Sequence, residues 1–148
     1  MRLKRLKVRK ALRDYPLIGV RIKHIQKEIA LRQKELDMIT AATSSYGEIG
    51  GRSLSQDSPV ERMTERREKA KGRIDLLLME VEKLTWEKER IDEVLELTTP
   101  EERDIITRIY INGESPVKVA GDVGYSDSYL TKHISKALDD IAFVLFGI

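Results

Sequence analysis

The sequence predicts an all-α protein: an antiparallel helical hairpin of coiled-coil type, followed by a C-terminal helix-turn-helix domain. Three observations predict it. Apolar residues recur at heptad spacing in two long stretches, 18–39 and 63–95. A Gly- and Ser-rich segment that ends in Pro59, residues 43–59, separates the two. Near the end, Gly124 and Ser126 stand between two short segments with apolar faces. The 148 residues divide on this pattern into a basic arm (1–15), a hairpin (16–97) with its loop at 43–59, and a terminal domain (98–148).

The arm, MRLKRLKVRKALRD, carries seven Lys/Arg and one acid over residues 1–14, a net +6. Two readings stay open: a solvated, frayed helix end, or a segment that contacts phosphates. Tyr15-Pro16 is expected to interrupt the helical pattern, because the residue before a proline avoids helical geometry. The first heptad stretch then runs Ile18, Ile22, Ile25, Ile29, Leu36 and Ile39, with Arg32 at a position the repeat would make apolar. The second runs Met63, Ala70, Ile74, Leu77, Val81, Leu84, Ile91 and Leu95, interrupted by Arg67 and Lys88. Ile25 and Leu77 stand at comparable distances from the loop and are expected to meet across the seam. Two helices alone cover their flanks poorly, so a homodimer and a monomeric hairpin packed on the C-terminal domain are both open.

Thr98-Thr99-Pro100 ends the second long helix. Thr99 suits the N-cap of the next, Pro100 its first position, and Glu101 and Glu102 its first turn. Ile105, Ile106, Ile109 and Tyr110 form its expected buried face, and Asn112-Gly113 its end. Ser115 and Pro116 then open a short helix whose Val117, Val119, Ala120 and Val123 are expected on one apolar side. Gly124 closes it, as a residue able to turn left-handed. Tyr125 plugs the corner, and Ser126 caps the last helix with Asp127 in its first turn.

Composition narrows the functions. Charged residues are 35% and aromatics 5%, which favours long exposed helices over one thick core. With no cysteine there is neither a disulfide framework nor a thiolate metal site, as suits a reducing cytoplasm. No apolar run reaches the ~20 residues of a membrane span, and the basic N-terminus lacks an apolar signal core. A cytoplasmic protein without a membrane partner is therefore expected. His24 and His133 stand far apart, the acids alternate with bases at helical spacing, and no glycine loop precedes a lysine. No enzyme activity, metal or cofactor is expected.

The last helix can be read at about 100° per residue. Leu130, Ile134, Leu138, Ile141 and Leu145 fall on one line and must face a core. Opposite them lie Tyr129, Lys132 and Lys136, flanked by Ser128 and Ser135. That row could enter a major groove of double-stranded DNA, Lys132 donating to guanine and Lys136 holding the backbone. The full expected DNA-contacting set is Ser115 and Lys118 at the start of the short helix, Tyr125 in the turn, and Ser126, Asp127, Ser128, Tyr129, Thr131, Lys132, His133 and Lys136 beyond it. Asp127 and Ser128 are equally readable as caps alone. Residues 98–148 hold five Lys/Arg and eight acids, a net −3. A negative helix-turn-helix domain counts against strong unaided DNA binding, because phosphate neutralisation supplies most non-specific affinity.

The terminal segment resembles the DNA-reading helix-turn-helix of sigma-70-type factors. It has their alanine, glycine, apolar and serine positions at Ala120, Gly124, Tyr125 and Ser126. It also has their run at Leu130, His133, Ile134, Ala137 and Leu138, and a "TPEER" lead-in at residues 99–103. Asp127 departs from the basic residue often found there. The whole plan is similar to that of small phage late-transcription regulators of the RinA and ArpU type. Shared with them are an "LRDYP" stretch at Leu12 to Pro16 and Asp57-Ser58-Pro59 before the second helix. The resemblance implies a sequence-specific DNA-binding activator of phage late genes in a bacterial host cytoplasm, with RNA polymerase as a further partner. Two alternatives stand beside it: a small terminase-like DNA-packaging adaptor, and a sigma-like module that docks on RNA polymerase.

Overall fold

The structure, a computed structural model, describes residues 2–48 and 59–148, with side chains over 2–42 and 59–148. Among these residues it is all-helical. In order come α1 (Arg2–Glu48), α2 (Pro59–Leu97), α3 (Pro100–Ile106) with a π-helical extension (Thr107–Ile111), α4 (Pro116–Val123) and α5 (Asp127–Phe146). The long helices α1 and α2 pack against each other as a hairpin, and α4 and α5 form a helix-turn-helix. No described helix is long and apolar enough to cross a membrane. The chain divides into two compact units. One is residues 22–83; the other joins residues 1–21 to residues 84–148.

The 22–83 unit holds α1 from Ile22 onward and α2 up to Lys83. Ile25, Leu36, Ile74 and Leu77 are buried, while Ile22, Ile29, Met63, Ala70 and Val81 are half-buried. This is the heptad seam expected from the sequence. An ion pair between Arg73 and Glu28, 3.3 Å, joins the two helices, and Glu28 also receives Arg32 at 3.8 Å. Arg32 thus enters the repeat by lying along it and reaching acids one turn away, with Glu35 at 3.5 Å on its other side. Two expectations change here. α1 continues to Glu48, through the first six residues of the loop expected at 43–59, and Pro59, its expected last residue, opens α2; residues 49–58 lie outside the described residues. Ser and Thr cost a helix only a few tenths of a kcal/mol each, too little to end one.

The other unit holds one core. Val8 and Leu12 of α1 join Ile91, Val94 and Leu95 of α2, Ile105 and Ile106 of α3, Val119 and Ala120 of α4, and the α5 stripe Leu130, Ile134, Leu138, Ile141 and Leu145. The sequence-derived arm at 1–15 is therefore, from Arg2, the start of α1; its Val8 and Leu12 are core, while Leu3 and Leu6 are exposed. Pro16 lies inside α1 without ending it. A mid-helix proline costs roughly 3 kcal/mol. Here Leu12 is buried ahead of it, and Ala11, Tyr15 and Ile18 pack on the same core, so packing on both sides outweighs the missing N–H. Tyr15 also donates to the Asp92 carboxylate, which accepts from Lys88 at 3.1 Å.

The ends of the short helices follow local chemistry. Thr99 and Glu102 form a reciprocal capping box at the start of α3. Arg103 turns back to donate to the carbonyls of Leu95, Glu96 and Thr98, closing the end of α2. Gly124 has φ 78° and Ser126 accepts from the Tyr129 N–H, so the turn forms as expected. Val117 does not join the α4 core face; it is 66% exposed, because it lies two residues, and so about 200°, from buried Val119.

Two substitutions test this arrangement. Leu77→Asp should lower the melting temperature sharply, since it leaves an unpaired charge in a seam position only 1% exposed. Leu12→Ala should destabilise the helix-turn-helix unit by about 2–5 kcal/mol, whereas the neighbouring exposed Leu17→Ala should be close to neutral. Thermal melts check the first and denaturant titrations the second, both followed by circular dichroism. A Leu12 variant as stable as the Leu17 variant would make residues 1–15 a free arm after all.

Candidate nucleic-acid interface

The interface begins with where α5 starts. The Ser126 cap fixes the first turn, and the buried Leu130–Leu145 stripe fixes which way the helix faces. Ser128, Thr131, Lys132 and Lys136 are then exposed, with Ser135 half-exposed, and together they line a shallow groove along the outside of α5. Asp127 stands at one end of this groove and Asp139 toward the other, and Arg5 of α1 completes the wall. No apolar side chain lines it.

Arg5 is where the N-terminal charge meets the terminal domain. Its Nε and Nη2 donate to both oxygens of Asp139 at 2.8 Å each, and Lys4 lies 3.7 Å from the same carboxylate. The guanidinium holds the Asp139 carboxyl below its usual range and is itself stabilised as a cation. One of the acids that makes the terminal domain negative is thus neutralised by α1.

Not every expected contact residue shares this groove. Tyr125, Tyr129 and His133 gather on the side of α5 toward α3. Tyr129 stacks on His133 with centroids 6.0 Å apart and meets the Tyr125 ring edge-on at 4.8 Å. The Tyr125 hydroxyl donates to Glu101, and that bond to a carboxylate pushes its pKa up to about 12. His133 Nε2 lies 3.8 Å from Glu102. Three residues from the expected set therefore form a cluster that braces the turn against the start of α3. Tyr129 remains 51% exposed but does not line the groove.

Ser115 and Lys118 stand apart from both groups, at the start of α4. Ser115 occupies the N-cap position but its side chain caps nothing. Lys118 is 3.7 Å from Glu114. The orientation of α4 depends on Arg108, which the π-helical turn presents. Its guanidinium meets Glu114 through two bonds, 2.9 and 3.1 Å, and Asp122 of α4 through a third. Both carboxyls are held below their ordinary range, chiefly by hydrogen bonds from Arg108.

Sequence reading missed the α1 arginines as neighbours of α5. Arg9 and Arg13 line an open cleft with Tyr110, Asn112, Pro116, Thr131 and Ser135. Their spacing of four residues from Arg5 was a usable signal, since it puts the three close to one side of a helix.

The Arg108 cluster makes a pH prediction. Carboxyls with depressed folded-state pKa values contribute stability above their unfolded value, about 4, and lose it as pH falls through the folded value. Melting temperature should therefore drop on the acid side of pH 5. In Arg108→Met that acid-side drop should be shallower, since Glu114 and Asp122 then titrate nearer their unfolded values. Melts across the acid range check this, and parallel curves for the two proteins would deny Arg108 its role.

A profile of the family described as Protein of unknown function (DUF722) matches residues 4–142. Searches of curated proteins and of solved structures give no match. The family match runs from α1 into the last turns of α5, and the chain belongs to the DUF722 family.

Proposed function

We propose that this chain is a sequence-specific DNA-binding regulator of transcription that reads a major groove with the outside of α5 and performs no catalysis. The observation that carries this reading is the exposed polar row Ser128, Thr131, Lys132, Ser135 and Lys136 on the second helix of a helix-turn-helix. Each side chain in it can donate to a phosphate or a base edge. Lys132 sits in the second turn from the Ser126 cap, where such a helix goes deepest into the groove. Lys136 lies one turn further, ~6 Å along the axis, and meets the backbone. The resemblance to sigma-70-type factors and to RinA- and ArpU-type regulators narrows the reading to an activator of phage late genes that works in the bacterial cytoplasm.

RNA polymerase is the second partner on this reading. The Tyr125–Tyr129–His133 cluster, beside Glu101 and Glu102, favours it with an aromatic and acidic surface next to the DNA face. A homodimer would let the protein bind paired half-sites.

Two lysine variants test the assignment on DNA fragments selected from a random pool. Lys132→Ala should cost about 1–3 kcal/mol and relax preference at one base pair. Lys136→Ala should weaken all sequences alike and lower the salt slope by about one. If both bind DNA normally and instead lose RNA polymerase, the domain is a protein-docking module.

A further inference from the structure

Beside the reading face of α5 lies a second surface of different character. It is an open cleft of about 650 Å³ between α1, the end of the π-helical turn, the start of α4 and the flank of α5. Two guanidinium groups, Arg9 and Arg13, line it, and no acid does. Among the described residues no carboxylate lies within ion-pair distance of either arginine, in contrast to Arg5 with its Asp139 partner. The Arg9 guanidinium carbon lies 5.8 Å from the centre of the Tyr110 ring, which leaves the charge held in place by an aromatic face. Its Nε is buried and has no hydrogen-bond partner. A buried donor without an acceptor is costly, and an anion seated in the cleft would relieve that cost. Asn112, Thr131 and Ser135 add amide and hydroxyl groups around the same space.

The position of the cleft names the anion. Thr131 and Ser135 line both it and the groove on the outside of α5. An anion in the cleft would therefore lie at the edge of whatever α5 enters. Resting on the DNA-reading role of α5, we propose that the Arg9–Arg13 cleft seats a backbone phosphodiester of the DNA strand that borders the groove. α1 then serves as a fixed wall of the interface, oriented by the Arg5–Asp139 pair. The phosphate attraction that the acidic terminal domain lacks comes from two arginines set beside its reading helix.

The test uses the full chain and a duplex of mixed sequence, with binding followed by fluorescence anisotropy over a range of salt concentrations. The double variant Arg9→Gln, Arg13→Gln should lower the salt slope by about one, the loss of one phosphate contact, and weaken binding to every sequence. The charge-preserving Arg9→Lys, Arg13→Lys should keep most of that slope. Thermal melts matched to the parent show that loss of the Tyr110 contact has not unfolded α1; if the double Gln variant melts early, Arg13→Gln alone should still weaken binding to every sequence and lower the slope, by less than one. Duplex bound by the double Gln variant with parental affinity and slope would overturn the cleft while leaving the α5 reading intact. Failure of the parent to bind duplex with any salt dependence would overturn both. Inorganic phosphate is the second probe: NMR shifts at Thr131 and Ser135 that saturate with phosphate, together with unchanged duplex binding by the Gln variant, would assign the cleft to a free anion and overturn the proposal.

Discussion

Everything in the helix-turn-helix unit depends on burying apolar side chains from the start of α1 and the end of α2 against α3, α4 and α5. α3 has seven residues before its π-helical turn and α4 has eight. Helices of that length are marginal in water by themselves. What holds them is the shared core, to which Val8 and Leu12 come from α1 and Ile91, Val94 and Leu95 from α2. Each fully buried side chain of this kind contributes about 1.5–3 kcal/mol. The start of α1 and the end of α2 are thus part of the unit that presents α5: residues 1–21 and 84–148 form one unit.

The same packing settles where the charge goes. Read along the sequence, the first 14 residues are +6 and the last 51 are −3, two separate regions of opposite sign. In the fold they are neighbours. Arg5 and Lys4 meet Asp139, while Arg9 and Arg13 come beside Thr131 and Ser135 without acids of their own. Charge that looks like a loose tail is distributed along one helix: part neutralises the acidic end of α5, and part stays available to an anion.

Local chemistry was legible in the sequence. The Thr99 capping box, the left-handed Gly124, the Ser126 cap and the apolar stripe of α5 each depend on residues within a turn or two of one another. The heptad seam of the 22–83 unit was legible for the same reason. Three features were not. Pro16 reads as a break because the packing that overrides it comes from residues 75 or more positions away, such as Ile91. The π-helical turn that presents Arg108 leaves no periodic mark in a five-residue stretch. The site itself was half legible. The lysines and hydroxyls of α5 could be placed by angle, but the α1 arginines could not be matched to them, because an ion pair across 134 positions has no spacing rule. Tyr129 was assigned to the groove row by angle alone; its stacking on His133 depends on where α3 places its acids.

The Arg5–Asp139 pair also constrains the order of folding. Its partners are separated by 134 positions, and Val8 and Leu12 contact a core whose other members all follow residue 90. During synthesis α1 emerges with this apolar stripe uncovered, and nothing made before α2 and α5 can cover it. The intervening 22–83 unit, whose contacts are between the two arms of one hairpin, needs none of those late residues to form. Assembly of the core around Val8 and Leu12 therefore waits for α5, the last helix to be made, and pairs the first helix of the chain with the last.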